Sequence, residues 1–380
     1  MPVITKQFQN LTLPQLGFGS MRLPLLPGGG DEDVDQAAVD RMVDTAMARG
    51  ANYFDTAYGY HGGNTEVAMG KALSRYPRDS YYLASKFPGY DVDNIRADRV
   101  EAIFEEQLRR CGVEYFDFYL FHNVYERNVE PYLDPENRVV EYLLEQKRNG
   151  RIRHLGFSAH GALPVIRKFL DAVGKHMEFG QLQLNYLDWD FQQARDKAAE
   201  LNRRNIPIWV MEPLRGGRLA RLTEGEAEEL RALRPGESPV GWAFRFLQGV
   251  PGVTVILSGM SSQEQLEDNL NLFETETPLT DAERAALLEM AGGMVNSRTL
   301  PCTACRYCVD HCPRGLDIPG LLALYNEHTF TGGGFIAPMA VGALPEDKRP
   351  SACIGCGACT AHCPQGLDVP AYMKEMASFL

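Results

Sequence analysis

No apolar run in this chain approaches the roughly 18 residues needed to cross a bilayer. The N-terminus, Met1-Pro2-Val3-Ile4-Thr5-Lys6, has no basic segment leading into an apolar one. Neither a membrane span nor a secretory signal is therefore expected, and the cytoplasm is the default location. Positive charge is in deficit: 38 Lys and Arg face 50 Asp and Glu, for a formal net charge of -12. That balance argues against a nucleic-acid partner. Cysteine is scarce before Cys302, where only Cys111 occurs. Without an oxidising compartment a disulfide framework is not expected, and Cys111 reads as a buried structural thiol. A Gly-rich dinucleotide fingerprint between strand and helix is missing too, because Gly17-Phe18-Gly19-Ser20 does not supply one.

What is present is material for a core and a repeated unit. Hydrophobic residues make up 44% of the 380. Strand-like runs at 16–20, 53–55, 81–86, 116–121, 153–157, 179–184, 206–210 and 253–257 alternate with helical stretches. Those stretches are 33–49, 64–74, 93–110, 136–149, 162–172, 190–204, 238–247 and 262–270. An extra acidic helix is expected at 223–233, a closing one at 280–292, and a short strand pair or cap within residues 1–15. The alternation predicts an α/β fold, a (β/α)8 TIM barrel, with an open doubly wound sheet as the rival. Composition changes abruptly at Cys302, which places a domain boundary near residue 295. The barrel is expected over 1–295 and a small cysteine-rich domain over 296–380. The second is too short for an ample core of its own, and a metal or cluster would substitute for one.

Polar residues close the apolar strands. Asp55 ends the second, Tyr60 follows it, Lys86 ends the third and His122 the fourth. Reduction of a carbonyl by hydride leaves charge on oxygen that a proton donor must neutralise. A phenol is a reluctant donor at neutral pH, and an ammonium beside its oxygen would lower its pKa. A carboxylate would keep that ammonium charged, and a histidine could orient the carbonyl. Taken singly, each residue has a structural explanation as ion pair, interface aromatic or strand cap. Four at one barrel mouth point to proton transfer.

Asp55-Thr56-Ala57 with Tyr60, Lys86 and His122 resembles the aldo/keto reductases over residues 1 to about 292. The resemblance implies a catalytic tetrad of Asp55, Tyr60, Lys86 and His122, with Tyr60 as general acid for aldehydes and ketones or as base for alcohols. It also implies NADP or NAD lying across the carboxyl-end mouth, bound without a Rossmann fold. Ser158 and Gln181 would hold the nicotinamide amide, and Met211 stands where an aromatic often stacks on the ring. Pro213, Leu214, Gly216 and Gly217 would wrap the pyrophosphate. Ser258, Gly259, Gln265 and Asn269 would meet the adenosine end. Gly259 and Gln265 occupy positions where NADPH-preferring members often have lysine and arginine, which weakens the case for NADPH; Arg218 or Arg221 could compensate. Ala159 stands where many members have an amide-binding asparagine; either His160 takes over or the amide is held less tightly.

Cys302, Cys305, Cys308 and Cys312-Pro313 form a CxxCxxCxxxCP run, repeated at Cys353, Cys356, Cys359 and Cys363-Pro364. Such triplets can wrap three corners of an iron–sulfur cube while the cysteine before proline reaches another centre. Structural zinc uses separated CxxC knuckles and needs no doubled triplet. The tail resembles bacterial two-cluster ferredoxins. That resemblance implies one [4Fe-4S] cluster on Cys302, Cys305, Cys308 and Cys363, and another on Cys353, Cys356, Cys359 and Cys312.

The combined expectation is an oxidoreductase exchanging hydride between NAD(P)H and a small carbonyl or alcohol, with two clusters for electron relay. A hydride carries two electrons together and a cluster accepts one. A flavin would reconcile them but has no motif here; an external one-electron carrier is the other partner to consider. The alternatives are an ordinary reductase with structural clusters, or an electron-transfer docking module with little reductase activity.

Overall fold

The computed structural model describes residues 1–296, 299–302 and 304–378. Two compact units divide the chain, Met1–Leu287 and Leu288–Leu380, and helix Asp281–Asn296 runs through the division.

The first unit opens with an antiparallel hairpin, β1 (Thr5–Phe8) and β2 (Leu11–Pro14). Eight parallel strands follow: β3 (Leu16–Gly19), β4 (Tyr53–Asp55), β5 (Tyr82–Phe87), β6 (Phe116–Val124), β7 (Ile152–Ala159), β8 (Gly180–Gln183), β9 (Ile208–Met211) and β10 (Val253–Gly259). They pair in sequence order and close when β10 meets β3, Ile256 opposite Leu16. The barrel is thus a (β/α)8 closure and not an open sheet. Nearly every strand residue is buried, as parallel strands covered on both faces require. Phe8 and Leu13 of the hairpin pack with Tyr53, Phe118, Phe179, Trp209 and Val255, and the Phe8 and Trp209 ring centres are 5.0 Å apart. The hairpin therefore stoppers the amino-terminal end and leaves the opposite mouth for function.

Helix ends depart from the periodicity for local reasons. The stretch 33–49 starts at Gln36 because Asp35 caps it, accepting from Ala38 N at 3.0 Å. The stretch 190–204 is two helices, Asp188–Phe191 and Ala194–Arg203, broken where Gln193 turns left-handed (φ 53°). The short helix Val129–Leu133 carries no clear period and escaped the sequence reading.

The second unit is helical among the described residues, with Ile318–Thr331, Ile336–Gly342, Ala358–Ala361 and Val369–Ser378. Gly332 (φ 69°) caps the first of these, so the glycine stretch 332–334 is a helix stop leading directly into the next helix. Among the described residues no helix is long and apolar enough to cross a membrane.

Candidate active site and cysteine-lined cavities

β4, β5 and β6 bring the four polar residues to one end of the barrel. Lys86 is fully buried; its Nζ donates to Asp55 Oδ1 at 2.6 Å and to the Thr56 carbonyl at 2.8 Å. The same Nζ lies 5.3 Å from the centre of the Tyr60 ring. Tyr60 and His122 meet edge to face, ring centres 6.1 Å apart, and Tyr90 also meets His122 edge to face at 5.1 Å. Gly59 is required here because the Tyr90 hydroxyl fills the space of a side chain. Buried beneath Lys86, Glu66 accepts from Ser85 Oγ (2.7 Å) and from Gln107 Nε2 (2.8 Å), and Gln107 also donates to the Lys86 carbonyl (3.1 Å). This network pins the strand end that carries the lysine.

Electrostatics departs from the expectation of an acidified phenol. Burial, then the Asp55 and Glu212 carboxylates, push the Tyr60 hydroxyl well above the ordinary tyrosine value, with Arg22 opposing. The Lys86 ammonium directs its hydrogen bonds to Asp55 and to the Thr56 carbonyl. Burial raises the Asp55 carboxyl, with Lys86 opposing. Burial, Lys86 and His160 together hold His122 well below the usual histidine range, so it is neutral at physiological pH. The pocket therefore presents a firmly protonated phenol beside a neutral imidazole whose Nδ1 is buried without a hydrogen-bond partner.

Two neighbours fit a carboxamide. Gln181 Oε1 is buried without a donor, its Nε2 lying 3.6 Å from Met211 Sδ, and so can receive an amide N–H. Ser158 Oγ accepts from Asn123 N at 2.8 Å and can donate its own proton to an amide oxygen. Pro213 and Leu214 follow β9 into a turn where Gly216 (φ 65°) and Gly217 (φ 88°) are left-handed. Ser258, next to last in β10, accepts from Asn269 Nδ2 at 3.1 Å; Asn269 lies inside helix Gln263–Leu272 and is not its cap. Gln265 is exposed and accepts from Ser261 N at 2.8 Å. His160 is held down to about 4 by burial and by Lys197. Two charged residues that the sequence reading passed over, Arg22 and Glu212, pair across this mouth at 3.3 Å.

In the second unit the cysteines line two small cavities. One is lined by Cys302, Cys305, Cys308 and Cys363, the other by Cys312, Cys353, Cys356 and Cys359. Each set takes its fourth cysteine from the other sequence run. The backbone repeats with them: Gly315 N donates to Cys312 O (2.9 Å) as Gly366 N does to Cys363 O (3.0 Å). His311 and His362, one before each of those cysteines, stack at 3.5 Å between ring centres. Among the described residues no three His, Cys, Asp or Glu side chains converge on a single ion position. The thiols surround a volume, which suits an iron–sulfur cube better than one tetrahedral zinc.

Residues 15–291 match the family model described as the aldo/keto reductase family, well over half of the chain. The chain belongs to the aldo/keto reductase family. Residues 301–367 of this aldo/keto reductase match a 4Fe-4S dicluster domain, so the barrel is followed by a ferredoxin-like unit. The "NADH-specific methylglyoxal reductase" of Escherichia coli (strain K12) is 26% identical over 330 residues, covering 74% of this chain and 96% of its own. Among solved structures, the holo form of an aldo-keto reductase from Bacillus halodurans is 26% identical with a TM-score of 0.61, covering 76% of this chain and 96% of that one. A glycerol dehydrogenase from Gluconobacter oxydans shares the fold, with 20% identity, a TM-score of 0.61 and coverage of 77% and 96%. The protein is an oxidoreductase of this family, whose substrates are small carbonyl compounds.

Proposed function

We propose that residues 1–295 exchange hydride between a nicotinamide dinucleotide and a small carbonyl or alcohol, while residues 296–380 carry two [4Fe-4S] clusters. The observation that carries the first half is the buried Lys86–Asp55 pair beside Tyr60 and His122, with the orphaned Gln181 oxygen on β8 of the same barrel. A bound nicotinamide would supply the hydride. His122 orients the carbonyl oxygen with a neutral ring nitrogen. Tyr60 gives its proton to that oxygen as charge develops there; an alkoxide is a stronger base than even a phenolate of raised pKa, so the transfer runs downhill. Ser158 and Gln181 hold the carboxamide and set which ring face is presented.

NADH is favoured over NADPH. Gly259 and Gln265 offer no positive charge for a ribose phosphate, and the E. coli relative is described as NADH-specific. That relative's name also points to a small 2-oxoaldehyde as substrate class. Titration of both nicotinamides followed by a carbonyl screen tests this reading. Binding of neither dinucleotide by the intact protein would refute it.

The crossed cysteine sets support two clusters, with Cys302, Cys305, Cys308 and Cys363 on one and Cys312, Cys353, Cys356 and Cys359 on the other. Clusters supply one-electron chemistry, and an external one-electron carrier is the partner this assigns, in the cytoplasm; no residue pattern supports a flavin. A structural role is the second reading. Cys302, Cys308, Cys312, Cys353 and Cys363 pack on the apolar core of Leu316, Ile318, Leu322 and Met373, which a cluster would complete. Following cluster spectra under anaerobic reduction separates the two, since structural clusters would not respond to NADH or substrate.

A further inference from the structure

Tyr60 stands on a turn beyond the end of β4, and no strand pairing holds that turn in place. Three left-handed residues follow it, His61 (φ 50°), Gly62 (φ 63°) and Gly63 (φ 92°). Arg110, from helix Ala97–Cys111, braces the turn: its Nη1 donates to the Tyr58 carbonyl at 3.2 Å and lies 2.8 Å from where a Cβ of Gly63 would stand. The turn also meets the Pro- and Gly-rich loop 23–33 that follows β3. That loop closes on itself, with Leu26 N donating to the Asp33 carbonyl at 2.8 Å. Gly62 faces the Glu32 carboxylate, whose Oε1 is 2.7 Å from where a Cβ would stand, and Asn64 Nδ2 donates to the Glu32 carbonyl at 3.1 Å.

His61 joins the two segments from a buried position, 6% exposed. Its Nε2 accepts from Leu23 N at 3.2 Å, and its Nδ1 lies 2.6 Å from the Asp31 carbonyl oxygen. A carbonyl only accepts, so Nδ1 carries the proton and Nε2 the lone pair. One imidazole thus grips the loop before and after its stretch 24–30, and it does so as the neighbour of Tyr60 in the chain. Histidine is among the few side chains that also accept a left-handed backbone, which this position requires. Proton transfer is sensitive to placement, and a shift of about 1 Å at the reacting groups can cost ~10²-fold in rate. We propose that His61 is a positioning residue for the Tyr60 hydroxyl, fastening the turn that carries it to loop 23–33 through both ring nitrogens. This rests on the reading that Tyr60 gives the proton to the carbonyl oxygen.

Single-turnover carbonyl reduction and NADH titration on the full-length, cluster-loaded protein test this, with H61G and H61N made in both the unaltered and the Tyr60→Phe backgrounds. Glycine accepts the left-handed backbone and removes both bonds, whereas asparagine accepts it and restores a donor and an acceptor. H61G is expected to slow reduction by at least about 10-fold with NADH affinity unchanged, and H61N to recover most of that loss. In the Tyr60→Phe background H61G is expected to add nothing, because a group acting through the phenol has nothing left to position. Should H61G not fold, H61S, too short to reach either partner, is read in the same two backgrounds. An unaltered rate without the imidazole overturns the assignment. So does a loss of the same factor with and without the Tyr60 hydroxyl, or a loss of NADH affinity in step with rate, since either marks a general structural role. If Tyr60→Phe itself leaves the rate unaltered, the underlying reading fails and takes this inference with it; a Tyr60→Phe effect without a His61 effect removes the inference alone.

Discussion

Lys86 Nζ stands 2.6 Å from Asp55 Oδ1 with both side chains buried, and that pair organises the mouth of the barrel. Removing one member of a buried ion pair leaves the other charge uncompensated, at a cost of about 3–5 kcal/mol. Asp55→Asn is therefore expected to lower unfolding stability by that order in urea titration. The double variant Asp55→Leu with Lys86→Met should recover part of it. A stability loss for Asp55→Asn within about 0.5 kcal/mol would show that the pair is not desolvated as the geometry requires.

Tyr60→Phe deletes the hydroxyl proton and little else. Carbonyl turnover is expected to fall by at least ~10²-fold while dinucleotide affinity stays within a factor of about two. Steady-state kinetics with a parallel binding titration measures both. Unaltered turnover would remove Tyr60 from the mechanism.

The pH profile reports which field dominates at the phenol. Tyr60 is pushed up and His122 down, so the protonated phenol and neutral imidazole coexist over the whole neutral range. Reduction is therefore expected to be level from about pH 6.5 to about pH 9, since neither group crosses its ordinary value inward. Activity falling as pH rises through 7 to 8, and vanishing in Tyr60→Phe, would mean that Lys86 lowers the phenol in the loaded enzyme after all.

The crossed cysteine sets make a pairwise prediction. Cys308→Ala is expected to cost one cluster, and so is Cys312→Ala. Cys312→Ala combined with Cys353→Ala should still retain one cluster, whereas Cys308→Ala with Cys312→Ala should lose both. Iron content and EPR spectra of anaerobically prepared protein read this out. Retention of a cluster in the second pair would mean that Cys308 and Cys312 serve the same centre.

Much of the barrel was legible because parallel strands buried on both faces are continuous apolar runs, and polar residues such as Asp55 and Lys86 at their ends stand out. Helix ends were less so. Gln193 and Arg138 break or start helices through left-handed backbone (φ 53° and 58°), which nothing in their side chains announces. Arg22 and Glu212 were passed over because they are 190 residues apart and unremarkable alone. The Glu66–Ser85–Gln107 network was invisible for the same reason.

By itself the chain's order of residues determined the eight-fold alternation, the polar strand ends and the doubled cysteine spacing. These depend on local periodicity and covalent neighbourhood, which a linear text carries in full. Only the closed barrel decided that Lys86 is neutralised by Asp55, that the Tyr60 phenol is raised, and that Arg22 faces Glu212. Fields and contacts of that kind follow from distances through space and from the exclusion of water, and neither exists until the chain has folded.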